Sequence, residues 1–214
     1  PPLVAILTYL SEEVKADTTR RKCLDFLCDR LGPHGVYHDE YSRMRPSQKK
    51  KFRFLPCVTK APLDSNEDSK QLHSPVTCFS DEKCSVMGFS IIDTELGDVG
   101  KLYGSLLQCA SEPDPSELIY QLSHLVSLAK SEQKTGEAAA QIIIPAFAGI
   151  FKYLSQKSSE FGPSAMDALN RDQFIPCHVN ESIEWHRPDQ VFFRRSDGVT
   201  DSMTEELFRV IDFS

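Results

Sequence analysis

The chain has 214 residues, of which 40% are hydrophobic and 26% are charged, with a formal net charge of −7. This composition is typical of one large or two small globular domains, and it excludes collagen-like, coiled-coil and wholly disordered proteins. Apolar runs such as 142–148 are far shorter than the roughly 20 residues of a membrane-spanning helix, so no membrane partner is expected. A start at Pro1 without methionine indicates a piece of a longer protein.

In chain order, the first predicted elements are two short amphipathic helices. Apolar residues recur at helical spacing in 3–10 and in 24–31, and Gly32-Pro33 is a typical helix end. Residues 34–51 show no period and predict a connector.

The next elements are predicted to be short strands and loops. Residues 52–58 are aromatic and β-prone, which predicts a strand, and Pro56 favours an edge position or a strand end. Residues 62–71 predict a polar loop, 86–93 a strand, and 97–104 a glycine-rich loop.

Helices are predicted to dominate the stretch that follows. Asp114-Pro115-Ser116-Glu117 combines an N-cap acid, a proline at the first helical position and a carboxylate at the third. Further helices are predicted over 136–157, where Pro145 marks a kink or the true start, and over 164–170.

The C-terminal stretch predicts strands at 174–179 and 191–193 and a closing helix at 204–213. The fold class is therefore α+β, with amphipathic helices packed on short, mostly edge-type strands. Two similar helix–strand–loop–strand units are expected, over residues 1–110 and 111–214.

An internal repeat underlies this division. Phe54-Leu55-Pro56-Cys57 recurs in the second half as Phe174-Ile175-Pro176-Cys177, and each copy is followed by a Pro-x-x-x-Phe segment. The two segments begin and end at Pro75 and Phe79, and at Pro188 and Phe192. Because the strands need a cover that the upstream helices can supply, both Phe54 and Phe174 are predicted to be buried. A chance match of common strand-end residues is the alternative.

The repeat resembles a unit found in sacsin and in other very large proteins that carry an ATPase of the gyrase and heat-shock-chaperone (GHKL) type. Segments of this chain are also similar, in the same order, to an uncharacterised family of long fungal proteins with such an ATPase-like region. The matching segments are Phe54-Leu55-Pro56-Cys57, His73-Ser74-Pro75, Cys78-Phe79-Ser80, Val86-Met87-Gly88-Phe89 and 207–213. The resemblance implies a segment downstream of the ATPase-like region in a chaperone-like or scaffold protein.

Catalytic and nucleotide-binding motifs are not recognisable in the sequence. Asp98-Val99-Gly100 supplies only the first half of an Asp-x-Gly-x-Gly turn, and no phosphate-binding loop of the Gly-x-x-x-x-Gly-Lys type occurs. Cys177 and His178 are adjacent in a predicted strand, so they point to opposite faces and cannot act as a pair. We therefore predict no catalytic residue, no cofactor and no enzymatic activity within this chain, and leave open an ATPase activity of the full-length protein.

A zinc site is an alternative interpretation of four soft ligands, Cys57, His73, Cys78 and Cys84. They are separated by 15, 4 and 5 intervening residues and lack the tight Cys-x-x-Cys spacing of zinc knuckles. Buried thiols are the competing interpretation.

A basic group occupies the connector, whose bounds we set at 34–53. Its members are Arg43, Arg45, Lys49, Lys50, Lys51 and Arg53. Tyr37, Tyr41 and Phe52 are interleaved with these cations and could stack on bases while the cations contact phosphates. Contact with an acidic protein surface and a merely solvated connector stay open.

The leading functional prediction is a non-catalytic chaperone-like or scaffold module, coupled to an ATPase-like domain of the same chain and binding a protein partner or client. The alternative is a nucleic-acid-associated module of a nuclear silencing or repair protein. The seven cysteines are widely spaced and odd in number, unlike a secreted disulfide framework. This predicts an intracellular location, in the cytoplasm or the nucleus.

Overall fold

The structure is a computed structural model that describes residues 1–59, 69–132, 137–157, 162–179, 182–193 and 209–211. Helices and short strands alternate along the chain, so the predicted α+β class is confirmed. The chain divides into two units, Pro1–Pro113 and Asp114–Ser214.

Both predicted N-terminal helices are present. Helix α1 spans Leu3–Thr8 and continues as a π-helical turn over Tyr9–Glu13, and α2 spans Asp17–Leu31. The apolar stripes of these helices are buried in the core of the first unit. Helix α2 ends directly before Gly32, as the Gly-Pro pair predicts.

The connector prediction for residues 34–51 is wrong. This stretch contains two short helices, α3 over His38–Arg43 and α4 over Pro46–Lys49. Helices of one or two turns are too short to display a hydrophobic period. Tyr41 of α3 is buried, and its hydroxyl donates a hydrogen bond to the carbonyl oxygen of Leu107 at 3.0 Å.

A three-stranded antiparallel sheet follows. Its strands are β1 over Leu55–Thr59, β2 over Ser69–His73 and β3 over Ile91–Ile92, in the order β2-β1-β3. Of the two places predicted for Pro56, the edge strand is wrong, because β1 is central, but Pro56 is the second residue of β1 and so lies near a strand end. A proline is tolerated there because only its carbonyl is needed, which accepts from the Asp93 amide at 3.0 Å.

Two neighbouring predictions need correction. Strand β2 includes 69–71, the end of the predicted loop, while residues 60–68 lie outside the described residues. Of the strand predicted at 86–93, only β3 is extended and paired.

The predicted glycine-rich loop at 97–104 is wrong as well, since Gly97–Leu106 forms helix α5. A Cβ atom on Gly104 would lie 2.9 Å from Ile92 Cδ1 and 3.1 Å from Ser80 Cβ. The glycine therefore permits close packing of α5 on the sheet and does not mark a loop.

The second unit begins with three helices. They are α6 over Pro115–Glu132, α7 over Glu137–Gln156 and α8 over Pro163–Arg171. The predicted capping box of α6 is confirmed: Asp114 Oδ1 accepts from the Glu117 amide at 2.9 Å, and Glu117 Oε2 accepts from the Asp114 amide at 2.8 Å. Pro145 lies inside α7 and does not start it.

Within the described residues, four strands complete the second unit. Strands β4 (Ile175–Val179) and β5 (Ser182–His186) form an antiparallel hairpin, and β6 (Val191–Phe193) and β7 (Arg209–Ile211) pair in parallel. The strands predicted at 174–179 and 191–193 are confirmed. The helix predicted at 204–213 is wrong at 209–211, because β7 pairs with β6, and its remaining residues lie outside the described residues.

The turn that leaves α2 supplies a sharp stability test. A Cβ atom on Gly35 would lie 2.0 Å from the carbonyl oxygen of Arg30, which the Tyr37 amide already binds at 3.0 Å. We expect Gly35→Ala to lower the free energy of unfolding by about 2–4 kcal/mol, because relief of the clash must displace backbone. Urea unfolding followed by circular dichroism measures it.

Gly32→Ala is the matched control for this variant. The nearest atom to a Cβ on Gly32 is the Asp29 carbonyl oxygen at 4.0 Å, and its φ of −55° suits any L-residue. We expect a change within about 1 kcal/mol, of either sign. Equal losses in both variants would show that the turn does not hold Gly35 against Arg30.

Candidate functional site

The two Phe-x-Pro-Cys segments occupy equivalent strands. Phe54 and Phe174 are both buried, as predicted, and each directly precedes the first strand of an antiparallel hairpin. The side chains of Pro176 and Cys177 lie outside the described residues, so the comparison of these two positions rests on the backbone.

The register of the two hairpins is the same. Leu55 pairs with His73 in the first hairpin, and Ile175 pairs with His186 in the second. Each histidine ends its strand and is followed by one residue and a proline that opens a short 3₁₀ turn, at Pro75 and Pro188. The shared His-x-Pro is a sequence signal that extends the repeat.

The repeat extends further through a parallel pairing. Phe79 bridges Ile91 in parallel in the first unit, and Phe192 pairs with Val210 in parallel in the second. This correspondence aligns Ile91-Ile92-Asp93 with Val210-Ile211-Asp212. This three-residue match is too short to be recognised from the sequence alone. The parallel strand pairing in both units is what aligns the two segments.

The six basic residues of the predicted connector, residues 34–53, do not form one surface. Arg45, Lys50, Lys51 and Arg53 are exposed. Arg43, also exposed, pairs with Asp39 at 3.6 Å across one helical turn.

Lys49 points into the first unit and is only 6% exposed. Its Nζ donates to Gln108 Oε1 at 2.8 Å and lies 4.1 Å from the centre of the Tyr41 ring, and burial lowers its pKa. Two predictions are thereby corrected: Lys49 cannot contact a phosphate, and the buried Tyr41 cannot stack on a base.

The four candidate zinc ligands do not converge. Cys84 Sγ donates to the Ser111 carbonyl at 3.5 Å, and His73 Nε2 lies 3.3 Å from Ser90 Oγ. Burial, followed by the charge of Arg53, lowers the pKa of His73. Among the described residues, no group of three His, Cys, Asp or Glu side chains is placed to hold a metal ion.

The remaining candidate ligands belong to a buried group of thiols. Cys57 and Cys78 are buried in the core of the first unit, Cys109 packs against that core, and Cys78 Sγ donates to the Pro75 carbonyl oxygen at 3.9 Å. Interaction with Cys109 lowers the pKa of Cys78, but interaction with Cys57 and burial outweigh it and raise the pKa. Interaction with Cys78, together with burial, raises the pKa of Cys109. Cys78 and Cys109 stay protonated and therefore act as core residues, not as nucleophiles.

An apolar groove lies between α1 with its π-helical turn and α2. Its volume is about 460 Å³, and its lining residues are Pro1, Ala5, Ile6, Tyr9, Leu10, Lys22, Cys23 and Phe26. Tyr9 is 50% exposed and Phe26 41% exposed, which is unusual for large aromatic side chains. The Arg30 guanidinium lies 3.5 Å from the centre of the Phe26 ring, and Lys22 contributes a second cation to the groove lining.

A second, polar cleft of about 530 Å³ separates the start of α2 from β2 and the turn after β3. On the sheet side, Lys70 pairs with Glu95 and with Asp93 Oδ2, the latter at 3.5 Å. On the helix side lie Lys15, Arg20 and Arg21, together with Asp17.

Arg20 is the buried member of this cleft, with 3% of its surface exposed. Its two terminal nitrogens donate to the carbonyl oxygens of Leu10, at 3.1 Å, and Val14. Its Nε, however, is the one buried side-chain nitrogen or oxygen within the described part of the chain that has no hydrogen-bond partner. Burial lowers the pKa of Arg20, and the charge of Asp17 opposes that shift.

The whole chain, residues 1–214, matches the family model described as "Protein of unknown function (DUF3684)". The chain belongs to the DUF3684 family. No curated protein and no solved structure matches it. The DUF3684 match includes both hairpin units, the apolar groove and the polar cleft.

Two further properties of the DUF3684 chain bear on its setting. Throughout the described ranges, no helix combines the length and the apolar content required to cross a membrane. The six cysteines whose side chains are described carry free thiols: Cys23, Cys28, Cys57, Cys78, Cys84 and Cys109. Burial, with nearby Asp25 next in effect, raises the pKa of Cys28 to about 12.

Proposed function

We propose that this DUF3684 chain is a non-catalytic protein-interaction module, chaperone-like or scaffolding, of a longer protein. The observation that carries the proposal is the apolar groove, where Tyr9 and Phe26 leave large aromatic surfaces open to solvent. Exposed aromatic side chains beside a concave apolar surface are typical of protein-binding sites.

The occupant of the groove is an amphipathic helix of a protein partner or client. A groove between two helices accepts apolar side chains spaced one helical turn apart, as in other helix-in-groove complexes. Lys22 in the lining and Arg30 on the Phe26 ring favour a helix with acidic residues beside its apolar stripe.

The repeat is the basis for the setting that we propose for the module. The similarity of the Phe-x-Pro-Cys repeat to units of sacsin-like proteins supports a position downstream of a GHKL ATPase-like region, with contacts to other domains of the same chain. The free thiols of the six described cysteines support a reducing intracellular compartment, cytoplasm or nucleus.

A fluorescence-anisotropy titration tests the proposal. The probe is a labelled amphipathic helical peptide with leucines one turn apart and flanking glutamates. We expect saturable binding that Phe26→Glu weakens at least about tenfold, because a carboxylate would be buried against the apolar wall. Val36→Glu, a change at an exposed apolar residue outside the groove lining, is expected to bind as the wild type does.

The outcome that contradicts the proposal is absence of saturable binding, or equal binding by the two variants. The alternative function, nucleic-acid association, depends on the exposed cations Arg45, Lys50, Lys51 and Arg53. It requires retention of single-stranded DNA that falls steeply with salt and is lost in Lys50→Glu/Lys51→Glu. The protein-interaction proposal does not require DNA binding. We expect little retention of DNA, because the acidic remainder of the chain repels phosphates.

A further inference from the structure

The polar cleft between α2 and β2 has the features of a ligand site that the protein-interaction proposal does not use. Its volume of about 530 Å³ falls within the roughly 300–1,000 Å³ of small-molecule sites. Its walls combine the apolar side chains Leu24, Leu72 and Leu96 with charged groups.

The decisive feature is the unsatisfied donor of Arg20. A buried N–H of a charged group without a partner is costly, and native structures leave very few such atoms unexplained. The carbonyl oxygens of Leu10 and Val14 fix the guanidinium. Its Nε–H, which is buried in the wall of the cleft, is the donor that has no partner.

Two further cations, Lys15 and Arg21, line the cleft beside Arg20. Lys15 and Arg21 are exposed and form no ion pair among the described residues. The cleft lining also holds three carboxylates, but Lys70 neutralises part of the charge of Asp93 and Glu95. On the helix side, three cations face Asp17 of the lining and Asp25, which accepts a hydrogen bond from the lining Tyr103. The helix wall therefore carries a positive excess.

The start of α2 adds to this field. Ala16 occupies the N-cap position and provides no side-chain hydrogen bond to the first turn. Asp17 and Thr18, at the start of this 15-residue helix, line the cleft. The free amide groups of the first turn therefore place the positive end of the helix dipole at the cleft wall.

We propose that this cleft binds a small organic dianion, a phosphate monoester or a dicarboxylate, whose charged end contacts Arg20, Lys15 and Arg21. The body of the ligand packs on the leucines of the cleft. A doubly charged head group matches the wall, because a guanidinium and two further cations bind oxyanions through charge-assisted hydrogen bonds.

Isothermal titration with three probes of similar shape tests this site. Phenyl phosphate and phthalate carry a dianion on an aromatic body, and benzyl alcohol carries the body alone. We expect saturable binding of at least one dianion and none of benzyl alcohol. Binding of phenyl phosphate alone identifies a phosphate-ester site, and binding of phthalate alone a dicarboxylate site.

Variants on the helix wall locate the binding. Lys15→Gln/Arg21→Gln changes two exposed residues, so the fold is expected to persist, and affinity for the bound dianion is expected to fall at least about tenfold. Lys83→Gln, a change at an exposed lysine outside the lining of the cleft, is the control and is expected to retain wild-type affinity. A shift of the Arg20 Nε–H resonance on titration reports the predicted contact directly.

Three results would overturn the proposal: neither dianion binds saturably, benzyl alcohol binds as tightly as the dianions, or the double variant binds like the wild type. The outcome does not depend on the apolar groove, because the peptide probe and Phe26→Glu test that surface separately.

Discussion

Lys49→Glu is expected to lower the free energy of unfolding by about 3–5 kcal/mol, the cost of leaving a buried charge without its partner. The native ammonium lies over the Tyr41 ring and donates to Gln108 Oε1 at 2.8 Å. A carboxylate at this place would face the negative face of the ring and an acceptor oxygen, so both interactions become repulsive. Urea unfolding followed by circular dichroism gives the difference.

The adjacent Lys50 supplies the control, because it has the same residue type, carries the same charge and is exposed. Lys50→Glu is expected to change the free energy of unfolding by no more than about 0.5 kcal/mol. A small loss in both variants would mean that Lys49 is solvated and that the sequence-based view of a basic surface patch was right.

Phe54→Ala is the second substitution with a large expected effect, about 3–5 kcal/mol, since truncation of a buried phenylalanine leaves a cavity that the surrounding core fills only in part. Phe174→Ala is expected to cost a similar amount in the second unit, because the two residues hold equivalent positions before equivalent hairpins.

A convenient probe exists for the second of these variants. Trp185 is the only tryptophan of the chain, is buried, and lies 5.0 Å from the Phe147 ring in the second unit. Its fluorescence therefore follows the unfolding of that unit in Phe174→Ala. Phe54→Leu, which keeps most of the apolar volume, is expected to lose clearly less than Phe54→Ala. Equal losses for leucine and alanine would argue against a packed Phe54.

How much of the fold could be predicted depends on the length of each element and on local signals. Helix α6 was predictable because its cap residues and its apolar stripe agree, and α2 because a glycine-proline pair ends it. Helices α3 and α4 were missed because they are shorter than the window in which a period can be recognised. Helix α5 was missed because its glycines serve close packing against β3.

The candidate sites were less predictable than the fold. The basic residues are adjacent in sequence, which suggested one surface, but the helical geometry of α4 turns Lys49 inward. The apolar groove and the polar cleft each combine residues of separate elements, so no local sequence motif predicts either site. The unsatisfied Nε of Arg20 is a property of packing that a sequence does not display.

The hairpin register shared by the two units also bears on the order in which the chain folds. Residues 180 and 181 alone separate β4 from β5, whereas residues 60–68 separate β1 from β2. Closing a short loop costs less entropy, and hairpins form within about 1–10 μs. The parallel pairing of β6 with β7 spans a longer separation along the chain, and it must wait for the chain to bring those strands together. We therefore expect the β4–β5 hairpin to form before the β6–β7 pairing during folding of the second unit.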